Sequence, residues 1–299
     1  MLTAAAAAGS PRPNLAARRA AFRKLMELSD HGEVIGGVEE RALRGPADAM
    51  RVRIYTPVES RAELFPALIY YHGGGLVSGS LDTHDGLCRA LANATGYRLL
   101  SVDYRLAPEH KFPAAVTDAC AAAEWIVMHA EEFGINRSKI AVGGDSAGAT
   151  LAAVVCQWAR AMPGIRLAAQ LLLCPITDFA GMTRSRNAYA EGFLLETEEM
   201  DKDLEKYVPA GVDATDPRIS PLRAADFANL PPAFIHTAEF DPLHDEGLAY
   251  ANRLAAAGVE VHYTCHPGMI HLFYGMTRVV PYARTALSRI GTEMRTALG

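Results

Sequence analysis

The sequence predicts an α/β fold with a mostly parallel central sheet and helices on both faces. Short, continuous apolar runs, such as residues 66–71 and 167–173, are typical of strands that are buried on both faces. Stretches of helical character separate these runs, and strands that alternate with helices form a mostly parallel sheet. The chain has 299 residues, of which 50% are hydrophobic and 21% charged, and is long enough to bury such a core.

The chain begins with a segment that lies outside the predicted sheet. A flexible start closes at Pro11 and Pro13, and Asn14 then caps a helix that extends to residue 28. Apolar side chains are predicted on one face of this helix and arginines on the other, so its apolar face must cover part of the protein. The two sets are Leu15, Phe22, Leu25 and Met26 against Arg18, Arg19 and Arg23.

An antiparallel hairpin is predicted at one edge of the sheet, from residues 34–44 and 50–56, because the second segment alternates with period two. Strands and helices then alternate in chain order: strand 66–71, helix 84–95, strand 97–103, helix 113–133, strand 139–143, helix 150–161 and strand 167–173. The alternation fails in the polar segment 179–217, which indicates an insertion with a helical piece around 196–207. It resumes with strand 233–237, helix 245–257, strand 259–265 and a last helix over 281–298.

Composition and charge argue against several classes of protein. The formal net charge of −5 gives no reason to expect nucleic acid or an anionic membrane surface as a partner. No apolar stretch is long enough to span a bilayer, and the Ala-rich residues 1–8 lack the basic start of a signal peptide. Five scattered cysteines without a C-x-x-C pair predict neither disulfides nor a metal site and fit a reducing cytoplasm. They are Cys88, Cys120, Cys156, Cys174 and Cys265.

The sequence Gly144-Asp145-Ser146-Ala147-Gly148 joins a predicted strand to a predicted helix. It has the pattern G-x-S-x-G, in which a serine sits on a sharp strand-to-helix turn and the flanking glycines leave room for it. The turn lifts the hydroxyl above the sheet, and the helix N-terminus behind it favours developing negative charge. The motif predicts a nucleophilic serine, with a serine-capped glycine turn as the simpler alternative.

A serine nucleophile needs a base and an acid, which follow it in chain order as acid and then histidine. Asp241 follows a predicted strand and is the first choice for the acid; Asp245, Glu246 and Glu239 compete, and Glu239 is expected beside the acid. His271 follows the next strand and is the first choice for the base, with His266 as its rival. The histidines within or beside predicted elements are interpreted as packing or surface residues; they are His236, His244 and His262.

A second glycine motif, His72-Gly73-Gly74-Gly75, follows the buried strand 66–71. Its backbone N–H groups suit the stabilisation of an oxyanion, for which each positioned donor contributes about 2.7–4 kcal/mol. A phosphate loop is the alternative, but the run lacks both the G-x-G-x-x-G pattern and a following Lys-Ser or Lys-Thr.

Taken together, these motifs resemble the bacterial hormone-sensitive-lipase-like esterases (family IV), which have the α/β-hydrolase fold. The resemblance covers about residue 35 to the C-terminus, and it includes Tyr104-Arg105-Leu106-Ala107-Pro108-Glu109 and the segment from Asp241 to Gly247. It implies Ser146 as nucleophile, Asp241 as acid and His271 as base. It further implies N–H donors to the oxyanion from Gly73, Gly74 and Ala147, with His72, Asp145 and Glu239 as supporting residues.

The resemblance also implies a helical cap over the site. The expected division is an N-terminal cap region 1–40, a first core part 41–178, a cap insertion 179–217 and a second core part 218–299. Three departures from the family pattern concern the size of the acyl pocket. Leu272-Phe273 follows the base where Gly-Phe is usual, Ala149 replaces a glycine, and Leu76-Val77-Ser78 stands where an aromatic residue is common.

The implied function is a serine carboxylesterase that hydrolyses short- to medium-chain acyl esters through an acyl-enzyme, without metal or cofactor. The expected partner is a small-molecule ester in the cytoplasm, with no nucleic acid and no membrane, and a homodimer is in keeping with the family. The alternatives are an amide or N-acetyl hydrolase with the same residues and a non-catalytic small-molecule binder on this fold.

Overall fold

The computed structural model describes residues 14–58 and 63–298; the predicted flexible start and the Ala-rich residues 1–8 lie outside these ranges. One sheet of eight strands runs through the described chain in the order β1-β2-β4-β3-β5-β6-β7-β8. The strands are β1 (Gly37–Arg44), β2 (Ala49–Thr56), β3 (Phe65–Tyr71), β4 (Arg98–Val102), β5 (Ile135–Asp145), β6 (Ala169–Leu173), β7 (Ala233–Phe240) and β8 (Val261–Ile270).

Eight α-helices pack around this sheet within the described ranges. They are α1 (Leu15–Met26), α2 (Asp85–Thr95), α3 (Ala114–Met128), α4 (Ala147–Arg160), α5 (Arg184–Ala188), α6 (Thr197–Tyr207), α7 (His244–Ala256) and α8 (Pro281–Leu298). None of these helices is both long and apolar enough to cross a membrane.

The sheet has the predicted mixture of strand directions. β1 pairs antiparallel with β2, and β2 pairs antiparallel with β4. From β4 to β8 every neighbouring pair is parallel. The central strands β3 and β6 are buried along almost their whole length, as their continuous apolar sequences predict. The predicted α/β class and the hairpin at the sheet edge are therefore confirmed.

Several predicted elements differ in their bounds: the strands predicted over 139–143 and 259–265 extend over 135–145 and 261–270, and two helices also differ. The helix predicted over 113–133 ends at Met128, and a 3₁₀ turn (Ala130–Phe133) follows it, closed by Gly134 at a φ of 60°. Such a left-handed glycine ends a helix because it has no Cβ to clash with the backbone. The helix after the serine motif begins at Ala147 and not at 150, so it starts directly behind Ser146.

Helix α1 has its predicted Asn14 cap, whose side chain accepts a hydrogen bond of 2.9 Å from the N–H of Ala17. The prediction that all three arginines lie opposite the apolar face is wrong for Arg18 and Arg19. Arg18 donates to Asp203 of α6 at 2.9 Å, and Arg19 donates to Glu109 at 2.7 Å. Both arginines therefore connect α1 to the rest of the protein.

Candidate active site

Ser146 lies at the apex of a tight turn between β5 and α4. Its backbone has a φ of 53° and a ψ of −122°, a conformation that L-residues rarely adopt. The flanking glycines are sterically required: a Cβ on Gly144 would lie 2.4 Å from the carbonyl oxygen of Tyr71, and one on Gly148 would lie 2.0 Å from the same atom. The turn thus holds the Ser146 side chain at the carboxyl end of the sheet, with the N-terminus of α4 directly behind it.

Ser146, His271 and Asp241 come together at the carboxyl ends of β5, β8 and β7. The Ser146 Oγ atom lies 3.1 Å from Nε2 of His271, and Nδ1 of the same ring lies 2.8 Å from Oδ2 of Asp241. The other oxygen of Asp241 accepts a hydrogen bond of 2.8 Å from the N–H of Leu243. Asp241 is fully buried, whereas Ser146 and His271 remain 6% and 5% exposed. The arrangement can pass the serine proton to a histidine that a buried carboxylate orients.

The competing candidates lie elsewhere. Asp245 accepts a hydrogen bond of 2.9 Å from the N–H of Ser185, and Glu246 pairs with Arg186 at 3.3 Å. His266 lies 3.2 Å from His236 and bonds to Tyr282 of α8. Each rival therefore has its polar contacts with residues outside the Ser146–His271–Asp241 group.

The glycine loop (residues 72–78) lies beside Ser146, but the N–H of Gly73 is not available as predicted. It donates to Oδ1 of Asp145 at 3.0 Å and lies 3.3 Å from Nε2 of His84, so this N–H is already engaged within the protein. Gly74 and Gly75, at φ values of 117° and 67°, line the same cavity as Ser146. Within residues 14–58 and 63–298, the N–H groups of Gly74, Gly75 and Ala147 make no hydrogen bond. These three donors are free to bind an oxyanion.

A buried network holds the glycine loop against the serine turn. The Asp145 carboxylate accepts hydrogen bonds from Gly73 and from the Tyr70 hydroxyl, at 3.0 and 2.6 Å, and lies 3.3 Å from His84. Burial alone would raise the pKa of Asp145, but His84 and Tyr70 hold it below its ordinary value. The carboxylate therefore stays charged and fixes the backbone of Gly73 beside Ser146.

His72 lies on the other side of this loop. Its ring stacks on Tyr104 with 4.4 Å between the ring centroids, and the Tyr104 hydroxyl donates to the His72 carbonyl at 2.6 Å. Burial, with a smaller effect of His84, lowers the pKa of His72 to about 3. His72 is therefore neutral at physiological pH and supports the loop by packing.

Glu239 does not lie where it was expected. Its side chain is exposed and accepts a hydrogen bond of 2.7 Å from the N–H of Gly268 in β8. Glu239 and Asp241 are two residues apart, so they would lie on the same face if the strand continued. Their environments differ because β7 ends at Phe240 and Asp241 lies beyond the strand end.

One group of side chains among the described residues has the spacing of a metal site: Cys174, Asp241 and His271, whose ligand atoms lie within 4.8 Å of one another. Nδ1 of His271, however, is already bonded to Asp241, and burial raises the pKa of the Cys174 thiol well above its ordinary value. We therefore interpret this group as part of the Ser146–His271–Asp241 arrangement.

A cavity of about 70 Å³ opens at Ser146 and His271, and we call it the Ser146 cavity. A single water molecule needs about 10–15 Å³ by a comparable measure, so the cavity has room for more than one water. Most of its wall is apolar, from α1, the segment after β6, residues 179–217 and the residue after His271: Phe22, Leu25, Ile176, Phe179, Leu194, Leu195, Met200 and Leu272. Three charged residues, Arg18, Glu199 and Asp203, complete the wall.

Sequence reasoning missed three residues of this site. Gly75 belongs to the glycine motif, but the motif does not tell which of its N–H groups are free. Arg18 and Asp203 are 185 positions apart and meet only because α1 and α6 pack together. The sequence offered one indication of this contact: Arg18 lies on a helix whose apolar face was expected to cover another part of the protein.

Comparison with known proteins identifies the family of this chain. Residues 68–275 match the family described as α/β hydrolase fold. The "Carboxylic ester hydrolase LipN" of Mycobacterium tuberculosis is 42% identical over 93% of this chain and 78% of its own length. The "Ethyl acetate hydrolase" of Pseudomonas putida is 41% identical over 79% of this chain and 75% of its own length.

Solved structures give the same result. An α/β-hydrolase enzyme from the metagenome of Lake Arreo superposes with a TM-score of 0.92 at 44% identity, over 96% of this chain and 92% of that one. An esterase from Pyrobaculum calidifontis superposes with a TM-score of 0.89 at 39% identity, over 95% of this chain and 94% of that one. The chain therefore belongs to the α/β-hydrolase family, within the hormone-sensitive-lipase-like branch that its motifs resemble.

Proposed function

We propose that this chain is a serine carboxylesterase in which Ser146, His271 and Asp241 form the catalytic triad. The observation that carries the proposal is the continuous path Ser146 Oγ–His271 Nε2 and His271 Nδ1–Asp241 Oδ2, of 3.1 and 2.8 Å, at the floor of an apolar cavity. The enzyme class follows from the family, since relatives at 41–43% identity are named carboxylic ester hydrolase, esterase and carboxylesterase.

In the first half of the reaction, His271 Nε2 accepts the Ser146 proton while Oγ attacks the ester carbonyl. Asp241 stabilises the imidazolium, because its Oδ2 faces Nδ1 and its Oδ1 is held by the Leu243 N–H. The carbonyl oxygen becomes an oxyanion and accepts hydrogen bonds from Gly74, Gly75 and Ala147. The C–O bond to the alcohol then breaks, and the alcohol leaves with the proton from His271.

The second half repeats these steps with water. His271 takes a proton from a water molecule, whose oxygen attacks the acyl-enzyme and regenerates the same oxyanion. When the bond to Ser146 breaks, Oγ recovers its proton from His271 and the carboxylic acid is released. All the protons move between the substrate, water, Ser146 and His271, so this sequence is complete with the chain's own residues.

The Ser146 cavity favours short acyl chains over long ones. The cavity has a volume of only about 70 Å³ and is walled by side chains of α1 and of residues 179–217, so a short acyl group is the better fit. The ethyl acetate hydrolase among the relatives is named for a substrate of this size. We further propose that the described part of residues 1–40 and the insertion 179–217 form a cap, because Phe22, Leu25, Leu194 and Leu195 supply much of the cavity wall.

The test is hydrolysis of p-nitrophenyl acetate, butyrate, octanoate and palmitate by the wild type and by Ser146→Ala. Ser101→Ala is the matched control, since Ser101 is a fully buried serine of β4. We expect activity on acetate and butyrate that falls by at least 10³-fold in Ser146→Ala and stays within twofold in Ser101→Ala. Equal rates for Ser146→Ala and the wild type would contradict the proposal. Phenyl acetate tested beside acetanilide decides between ester and amide hydrolysis.

A further inference from the structure

The Ser146 cavity contains a carboxylate next to the glycine loop. Asp203 of α6 is 4% exposed and lines the cavity together with Ser146 and His271. Its Oδ2 lies so close to Gly75 that a Cβ built on that glycine would be 2.4 Å from it. A carboxylate is therefore packed against one of the backbone segments that we propose to bind the oxyanion.

An uncompensated negative charge at this position would oppose catalysis. The transition state of ester hydrolysis places negative charge on the carbonyl oxygen, and a like charge nearby raises its energy most strongly where water is excluded. Asp203 is almost completely buried, so solvent contributes little screening. The carboxylate must be neutralised by neighbouring cations.

Among the residues that the structure describes, two cations contact Asp203, and they differ in environment. Nη2 of Arg18 donates to Oδ2, the oxygen beside Gly75, at 2.9 Å, and the Arg18 side chain is 17% exposed. Nζ of Lys206 donates to the other oxygen at 3.2 Å, and the Lys206 side chain is 32% exposed. Arg18 is thus the more buried cation, and it binds the oxygen that faces the glycine loop.

We propose that Arg18 is a positioning residue for ester hydrolysis, which compensates the charge of Asp203 and orients its carboxylate beside Gly75. The proposal rests on the esterase function above and extends it to a residue of α1. The ion pair also joins α1 to α6, but the proposed effect on catalysis is that Arg18 keeps the electrostatic environment of the cavity suitable for an oxyanion.

The second acid near Arg18 does not change this argument. Nε of Arg18 lies 3.5 Å from Glu199, but it makes no hydrogen bond within the described residues. The Glu199 side chain is 35% exposed, so water screens its charge far more than that of Asp203. We therefore assign the effect to the Arg18–Asp203 pair.

The test is a double-mutant cycle with Arg18→Met, Asp203→Asn and the combined variant, measured as kcat and KM for p-nitrophenyl butyrate. If Arg18 acts through charge, Arg18→Met lowers kcat at least tenfold with less than a threefold change in KM. Asp203→Asn stays within threefold of the wild type, and adding Asp203→Asn to Arg18→Met restores kcat to within threefold of Asp203→Asn. Arg23→Met is the matched control, because Arg23 is an exposed arginine of the same helix.

Other outcomes overturn the proposal. If the pair acts only as a mechanical bridge, Asp203→Asn and the combined variant lose as much kcat as Arg18→Met. If Arg18 instead binds the substrate, Arg18→Met raises KM even in the Asp203→Asn background. Asp203→Asn alone remains decisive if Arg18→Met fails to fold, since a tenfold loss of kcat would contradict the charge argument. Ser146→Ala distinguishes a failure of the esterase mechanism from a failure of the role proposed for Arg18. An active Ser146→Ala refutes the esterase mechanism, whereas a wild-type kcat in folded Arg18→Met refutes only the role of Arg18.

Discussion

Leu272, the residue after the proposed base, occupies a backbone conformation that disfavours leucine. Its φ is 62° and its ψ is 10°, in the left-handed region, which costs an L-residue roughly 1–2 kcal/mol. Its side chain is only 5% exposed and packs in a cluster with Phe22, Met26 and Met276, and it lines the Ser146 cavity. Packing therefore holds a strained residue beside His271.

This geometry predicts an unusual order of stability for two truncations. Leu272→Ala loses the buried side chain and keeps the strain, which costs about 2–5 kcal/mol of unfolding free energy. Leu272→Gly loses the same packing but relieves the strain of roughly 1–2 kcal/mol, against about 0.5–1 kcal/mol for the greater freedom of glycine in the unfolded chain. We expect Leu272→Gly to be more stable than Leu272→Ala by about 0.5–1 kcal/mol, although its side chain is smaller.

Urea unfolding of the two variants measures this difference directly. Met276 offers a matched control, because it belongs to the same cluster, is 6% exposed and has an ordinary φ of −110°. There glycine is expected to be less stable than alanine, by about 0.5–1 kcal/mol. A Leu272→Gly variant that is less stable than Leu272→Ala would refute the assignment of strain to this position. Both truncations also widen the cavity, so the rate on p-nitrophenyl octanoate relative to acetate should rise, while Met276→Ala should leave this ratio unchanged.

Two further predictions concern buried polar groups near the sheet. Burial, followed by the effect of His236, lowers the pKa of His266 to about 4, so the folded protein resists protonation there and loses stability as the pH falls from about 6.5 towards 4. In His266→Gln we expect the fall in unfolding free energy over this pH range to be smaller by about 2 kcal/mol than in the wild type, with esterase activity retained. An identical pH dependence of stability would contradict this interpretation. A loss of activity comparable with that of His271→Gln would contradict it as well. Asp145→Ala removes the acceptor of the Tyr70 hydroxyl and leaves the buried N–H of Gly73 only its longer contact of 3.3 Å with Nε2 of His84, so we expect a loss of about 2–5 kcal/mol in unfolding free energy and a fall in kcat. Tyr70→Phe removes only one of these bonds and should cost about 1 kcal/mol with kcat nearly unchanged; equal effects of the two variants would show that the Gly73 contact has no role.

The parts of the fold that follow from local sequence were predicted correctly. The apolar run of β3 and the alternation of β2 depend on which faces of a strand are buried, and that information is present in each segment by itself. The turn at Ser146 was equally readable, because only glycine fits where a Cβ would meet the Tyr71 carbonyl. Each of these features leaves its signal within about ten residues of chain, although the Tyr71 carbonyl that excludes a Cβ at the serine turn lies on the neighbouring strand β3.

The features that were missed depend on partners far away in sequence. Glu239 was expected beside Asp241 because the two are neighbours in the chain, yet its contact is with Gly268 across the β7–β8 pair. Arg19 was placed opposite the apolar face, although it lies three residues before Phe22 on the same face of the helix. Its contacts are Glu109 and the carbonyls of Val77 and Ala107. Helical periodicity tells which side chains share a face, but it does not tell whether a charged face will meet a complementary charge.

Gly73 illustrates why a motif identifies a site more readily than the role of each atom in it. The run His72-Gly73-Gly74-Gly75 offers three glycine N–H groups, and nothing in the run itself distinguishes them. The choice is made by Asp145, which precedes Ser146 in the other motif and binds the first of the three at 3.0 Å. Because that hydrogen bond fixes the loop against the serine turn, the next two N–H groups are left to face the cavity. In the proposed mechanism, the Asp145 carboxylate of the serine motif thus decides which backbone donors face the substrate, and a residue that does not touch the substrate sets the geometry of the proposed oxyanion site.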